Sequence, residues 1–473
     1  MWQITRIEWL GLLRSTRWRL LLVGLIALLV ITGTIGQLEH VRDLDQRATA
    51  AREVRAQWDA MGPSNPHGAA HFGTYAFKPA GALAALDPGT QAVTGNALRL
   101  EGHVQNDLAW SSAAQLPQVA RFGEPHPALV LQVLVPLLLI VLGFASVSEE
   151  RRSGRLRLLA VQGFGLRLLL LGKALALVLV GALFLLMIVA LQLLLDGAAQ
   201  PGIATRLVGF VLAYLLYYIT IALLTVIISA RMRRMDTAFA MLLGIWLAWT
   251  VAAPHVAAAY ADSRHPLPDR RSFNKAMQAD REQGVDGHNP EDTRRATLEQ
   301  QVLAEYGVDS LKQLPFNFDG LVMQADEEYA NAVWDKHFGA LQERMAARKK
   351  VVQHGALIVP YLALRGMSMS AAGTDMPHHI HFQRAAETYR RDLVKRLNHE
   401  HAYGGSRTND WSWKAPAEFF RAIPDFIYQR PPWERMRESW WADARTLLLW
   451  PIALLVLLFF LSSSRPGAEL LRS

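Results

Sequence analysis

Six strongly apolar stretches, each long enough to cross a bilayer and set apart by two large polar blocks, leave this chain few ways to fold. They run over roughly 20–36, 128–147, 168–195, 207–229, 237–260 and 446–463. A helix needs about 20 apolar residues to cross a hydrocarbon core about 30 Å thick. Lipid offers no partner to backbone N–H and C=O groups, so a spanning segment is either a helix or a strand of a closed barrel. Leu168 to Leu195 is nearly unbroken in its apolarity and lacks the alternation of a barrel strand. The expected fold is therefore an all-α polytopic membrane protein with six transmembrane helices, an N-terminal elbow helix and two outward-facing, mainly helical inserts.

Lys and Arg set the orientation. Arg6, Arg14, Arg17 and Arg19 precede the first span, and Arg151, Arg152, Arg155, Arg157, Arg167 and Lys173 lie between the second and third. Arg231, Arg233 and Arg234 follow the fourth, and Arg465 and Arg472 follow the sixth. Short loops rich in these residues stay in the cytoplasm. Both termini are expected there, in a cell inner (cytoplasmic) membrane, with the large blocks in the periplasm. This topology, helped by attraction to anionic membrane lipid, accounts for the net charge of +8 and removes the reason to invoke nucleic acid. The first apolar run reads as a retained anchor, because no small-residue cleavage pattern follows Gly36. Cysteine is absent, which excludes disulfides, thiolate metal sites and cysteine nucleophiles.

The chain divides into an elbow and first span (1–36), a first insert (37–127), spans two to five (128–260), a second insert (261–445), and a last span with its tail (446–473). In the elbow, Trp2, Ile4, Ile7, Leu10, Leu13 and Trp18 suit one helical face, while Arg6, Glu8, Arg14 and Arg17 stay polar. Such a helix lies in the membrane interface. The first insert opens with a charged helical piece at 38–60 and then turns irregular, with too few apolar residues for its own core. In the second insert, Asn289-Pro290-Glu291-Asp292 reads as a helix start and Tyr306-Gly307 as its end. A longer helix is expected over Asp319 to Lys350 and another over 380–401. Residues 356–372 are apolar but too short to span, and suit a buried or interfacial segment. Trp433, Trp440 and Trp441 suggest an aromatic belt at the membrane boundary.

The connector between spans two and three, at 148–166, is the most informative short segment. It runs Ser148-Glu149-Glu150-Arg151-Arg152-Ser153-Gly154-Arg155-Leu156-Arg157-Leu158-Leu159, and Gly172-Lys173 opens the next span. An acidic, then basic, then amphipathic segment suits a helix shown to a partner, with Leu156 and Leu159 as apolar contacts. Here the chain resembles the permease subunits of the type-2 ABC transporter family. Glu8, Arg14 and Arg17 match that family's elbow, and Glu150, Gly154, Leu156, Leu158, Leu159, Gly172 and Lys173 match its connector. Arg155 and Gly163 stand where the family usually has Thr and Pro. HFGTYAFKP at 71–79, ALDPG at 85–89 and LALRGMSMSAAGTD at 362–375 resemble a branch with large inserts between spans one and two and between five and six.

The resemblance implies a permease that couples ATP hydrolysis in a separate cytoplasmic ABC ATPase dimer to export, or to conformational work on a periplasmic partner. Glu8, Glu149, Glu150, Gly154, Leu156 and Leu159 are the expected coupling residues. A second permease subunit, the same or a sister chain, completes the assembly. No cofactor is expected on this chain, and ATP and Mg belong to the partner. A phosphate-cradling loop needs Gly-x4-Gly-Lys-Ser/Thr after a strand. Gly172-Lys173 is followed by Ala174 at a membrane helix start, so Lys173 is expected to snorkel to the interface.

Gln132, Gln192, Tyr214, Tyr217, Tyr218 and His255 are candidates for lining a translocation route, with helix packing as the plainer role. Pro136 and Pro254 are expected to kink spans two and five. His378, His379, His381, His399 and His401 invite a metal reading, but His399-Glu400-His401 lacks the spacing that sets two ligands on one helical face. Surface or capping roles suit them better, and His67, His71 and His103 carry less weight still. Two other classes stay open: an integral membrane enzyme with a periplasmic domain, and a membrane assembly or sensor protein that transports nothing.

Overall fold

Ser15 divides the N-terminal segment in two. The computed structural model describes residues 1–109, 126–163, 165–196, 202–285 and 291–463. In it α1 (Trp2–Arg14) meets α2 (Thr16–Asp59) across the extended backbone of Ser15. The second helix does not stop where the apolar residues stop. Over its 44 residues no proline interrupts the ladder, so the first span and the charged piece expected at 38–60 form one rod. At 1.5 Å per residue it is about 66 Å long, twice the hydrocarbon thickness. It therefore runs from the bundle out to Trp58, which packs in the core that the two inserts share. Gly36 lets the rod pass the insert closely, because a Cβ there would lie 2.5 Å from the Ala85 carbonyl oxygen. Gly36→Val is expected to cost about 3 kcal/mol as an overpacked contact. A lower melting temperature in detergent checks it.

Among the described residues six helical segments are long and apolar enough to cross a membrane: Thr16–Asp59, Pro127–Arg152, Leu166–Leu195, Ile203–Arg231, Met235–Arg264 and Glu438–Leu461. The second consists of α4 (Pro127–Leu129), a π-helical turn at Val130–Leu134, α5 (Val135–Gly143) and the short α6 (Ser148–Arg152). After it come α7 (Arg155–Val161), α8 (Leu166–Asp196) and α9 (Ile203–Arg231). The fifth span joins α10 (Met235–Leu247) to α11 (Ala253–Arg264) through a second π-helical turn, Ala248–Ala252. Both π turns directly precede the segments that carry Pro136 and Pro254. A proline lacks the N–H and crowds the carbonyl four residues back, and a wider turn relieves that crowding.

The first insert adds α3 (Pro66–Phe72) and a three-stranded antiparallel sheet: β1 (Thr74–Phe77), β2 (Ala97–Glu101) and β3 (Val104–Gln105), in the order β1-β2-β3. The sheet is a small addition to an insert whose larger part is helical, as expected. TYAF and ALRLE alternate buried and exposed positions over too few residues to stand out in the sequence. The second insert is helical: α12 (Arg270–Gln283), α13 (Glu291–Tyr306), α14 (Phe318–Gly355), α15 (Pro360–Ala372), α16 (Met376–Tyr403), α17 (Ala417–Arg421) and α18 (Trp433–Met436). The start expected at Asn289-Pro290 lies outside the described residues. The last span is α19 (Glu438–Leu461).

The two inserts share their apolar cores. Trp58, Ala69 and Ala70 pack with Leu393, Leu397, Phe420 and Ile423. On the other side, Ala76, Leu98 and Leu100 pack with Phe382 and Ala386. Residues 360–372 are not interfacial. As α15 they sit inside the bundle with Tyr361, Leu364, Met367 and Ala371 in its main core. Trp433 and Trp440 are buried as well, and Trp433 lies beneath the Arg206 guanidinium at 5.1 Å. Only Trp441 of the three expected belt residues turns outward.

Candidate coupling site

The elbow α1 lies against the start of α8, held by three contacts from one turn to one turn. Thr5 Oγ1 donates to the Gly172 carbonyl at 3.0 Å, and Trp9 Nε1 donates to the Ala176 carbonyl at 3.2 Å. Between them, Lys173 Nζ donates to both Glu8 and Glu150, the latter at 2.8 Å. Gly172 permits the approach, since a Cβ there would lie 2.9 Å from Ile4 Cβ. Lys173 therefore does not snorkel. It is 3% exposed and joins the elbow, the connector and the third span through one ammonium. Two carboxylates satisfy its charge, which is what makes its burial tolerable.

The connector is pinned from a second direction. Ser229 Oγ, near the end of α9, accepts the Val147 N–H at 3.0 Å, and Arg151 donates to the Ala230 and Met232 carbonyls. Gly154, at φ 73°, then turns the chain sharply from α6 into α7 in a conformation that L side chains resist. Beyond this turn the burial differs from expectation at Leu156, which is 2% exposed and packs into the bundle core. Leu159 is half-buried against the same core. The apolar side chains that α7 offers outward are Leu158 and Val161, at 63% and 86% exposure. Glu149 is also outward, 3.7 Å from Arg155. On α1, Ile4 and Thr5 face inward while Trp2, Ile7, Leu10 and Leu13 are exposed. The interfacial face thus excludes Ile4.

The sequence model of the ABC-2 family transporter proteins matches residues 2–302, from the elbow through all but the last span. The chain belongs to this family. It is a multi-pass permease subunit of an ABC transporter. A domain of unknown function (DUF3526) matches 273–429, within the second insert. A search of curated proteins gives no match.

Within this ABC-2 permease Gln132, Gln192, Tyr214, Tyr217 and Tyr218 are buried in the bundle. Gln132 Nε2 donates to Tyr214 OH at 3.0 Å, Tyr214 OH meets Ser368 Oγ at 2.9 Å, and Ser368 donates to Asp87 at 2.5 Å. This polar chain ties α9, the second span and α15 to the first insert. Tyr218 OH donates to the Leu131 carbonyl at 2.9 Å, Tyr217 is fully buried, and Gln192 is 4% exposed. His255 is exposed and bonds the Val251 carbonyl of its own helix at 2.8 Å.

The five histidines weighed for metal each have other company. His378 Nδ1 meets Asp375 at 2.5 Å, His379 Nδ1 meets Lys78 Nζ at 3.1 Å, and His381 Nδ1 meets Tyr428 OH at 3.0 Å. Burial and the Lys78 charge push His379 down to about 3. His399 is exposed with its ring 4.9 Å from that of Tyr403, and His401 Nε2 lies 3.3 Å from Asn317. The described residues that do converge are His67, His71 and His103, with ligand atoms all within 4.8 Å of one another. The signal was legible: His67 and His71 are four apart just after Asn65-Pro66, a capped helix start.

Proposed function

We propose that this permease works with a cytoplasmic ABC ATPase dimer that grips the outward face of α7 and Glu149, and that Lys173 passes the resulting movement to α1 and α8. The elbow side of the bundle is then cytoplasmic, as the positive loops argue, and the inserts face the periplasm. The observation that carries this reading is the single buried ammonium shared by Glu8 and Glu150. A push on the connector cannot leave the elbow and third span unmoved without breaking that pair. Nucleotide biases the assembly only by the difference in its affinity for two conformations. A second permease subunit supplies the other wall of any translocation route, because Gln132, Gln192, Tyr214, Tyr217 and Tyr218, expected to line one, are buried inside this chain. The long α2 rod and the shared insert cores suit transmission of force to a periplasmic partner as well as solute export.

Two substitutions on one short helix separate the roles. Val161→Asp leaves a fully exposed position exposed, so melting of the purified chain stays unchanged while stimulation of the partner's ATPase falls. Leu156→Asp buries a carboxylate in the core and costs about 3 kcal/mol or more, so it acts by unfolding the connector. Detergent melting and ATPase assays of the co-purified complex read both. Full coupling with Val161→Asp and Leu158→Asp combined would remove α7 as the contact.

A further inference from the structure

We infer that His67, His71 and His103 form a binding site for a divalent late first-row metal ion, zinc being the natural probe, at the junction of the two inserts. Asn65 caps α3 by accepting the His67 N–H at 2.8 Å, and its own amide donates to the Trp411 and Trp413 carbonyls, at 3.0 and 3.3 Å. This fixes the helix against the second insert and sets His67 and His71, four residues apart, on one face. Their Nε2 atoms are 3.1 Å apart. Two nitrogens bound tetrahedrally to zinc at 2.0–2.1 Å lie about 3.3 Å apart, so this pair is already spaced for a shared ion.

The third imidazole arrives from the β2–β3 turn. The Gly102 N–H donates to the Ala70 carbonyl at 2.9 Å, clamping the turn onto α3 beside the two histidines. His103 sits there at φ 64°, a left-handed conformation uncommon outside glycine. Glu327 holds it there. Its carboxylate, 2% exposed, accepts the His103 backbone N–H and lies 2.9 Å from His103 Nδ1. With Nδ1–H given to Glu327, Nε2 is left as the lone-pair nitrogen, the arrangement in which a carboxylate orients a metal-binding imidazole. Arg390, itself fully buried, holds the other Glu327 oxygen at 3.2 Å.

The His67 Nδ1 is buried without a hydrogen-bond partner among the described residues. Three imidazole nitrogens and no thiolate suit zinc, copper(II) or nickel(II) over magnesium or calcium. His71 is exposed, so a fourth position opens to solvent or to an outside ligand. A bound ion closes α3, the β2–β3 turn and, through Glu327, α14 into one unit.

The test uses the purified full-length chain in detergent, with metal removed by chelation and then titrated with zinc. The chain has 15 histidines, so the readout is the difference between variants. Wild type is expected to bind one tight equivalent that His71→Ala loses and exposed His399→Ala keeps, and cobalt in place of zinc gives the visible absorption of a four-coordinate ion. Glu327→Gln is expected to weaken binding about 10–100-fold. Because His71 is exposed, His71→Ala without metal melts as wild type does, which separates lost ligation from lost folding. Equal zinc stoichiometry and affinity in wild type and His71→Ala, or no tight equivalent in wild type, overturns the proposal.

Discussion

Lys173→Met is expected to destabilise the purified chain and to abolish stimulation of the ATPase subunit. The substitution keeps the length of the stem and removes the charge. Glu8 and Glu150 then face one another across the site that the ammonium held, with side-chain exposures of 31% and 17%. Breaking one partner out of a buried ion pair costs about 3–5 kcal/mol, and the partial access of both carboxylates to water brings this nearer about 2–3 kcal/mol. The elbow keeps its Thr5 and Trp9 hydrogen bonds and its Ile4 packing to α8. The triple change Glu8→Gln, Glu150→Gln and Lys173→Met removes the repulsion and is expected to recover most of the melting temperature. Coupling does not recover, because three neutral groups do not lock three elements together. A single Lys173→Met variant as stable and as well coupled as wild type would make the triad a bystander.

Arg390→Ala is the second large effect. Arg390 is fully buried in α16, with bonds to Glu387 at 2.8 Å, Glu327 at 3.2 Å, Asn331 at 2.7 Å and the Glu101 carbonyl at 3.2 Å. Its guanidinium also lies 4.7 Å over the Trp334 ring. The one side chain therefore ties α16 to α14 and to the sheet of the first insert. Its loss leaves the Glu327 carboxylate in the interior with His103 as its partner and without the guanidinium charge, for about 3–5 kcal/mol. Arg390→Lys is not expected to rescue, since a single ammonium cannot serve a planar fork of four acceptors. Limited proteolysis is the measurement. Arg390→Ala should open the inserts to cleavage at protease levels that leave wild type whole, while the core spans stay protected. Equal resistance would mean that the shared apolar cores hold the inserts without this network.

The bundle was legible because its signal is long: six apolar runs and alternating basic loops constrain a chain more than any local propensity. Continuous helix across 37–59 was harder to read, since the change from apolar to charged residues marks a change of solvent and not a change of conformation. The candidate coupling site was half legible. The motif placed Glu8, Glu150 and Lys173 in the right segments, but only tertiary packing brings residues 8, 150 and 173 to one point. Leu156 and Leu158 are two apart on a short helix, and sequence alone does not say which of them faces the bundle. The sheet was missed because four- and five-residue strands gain their stability from pairing and from α16, neither of which leaves a local mark. The histidine cluster was passed over for a similar reason. Two of its members were spaced correctly on α3, while the third comes from a turn 32 residues beyond His71.

A single engineered thiol gives the most direct test of the claim that α7 is where the ATPase subunit acts. The chain has no cysteine, so Val161→Cys, at a position 86% exposed, carries a unique label, and Ile427→Cys at 79% exposure gives a control on the second insert. With a photoreactive maleimide on each variant in the intact complex, Val161→Cys should capture the ATP-hydrolysing subunit and Ile427→Cys should not. Capture from position 427 and none from 161 would contradict the account.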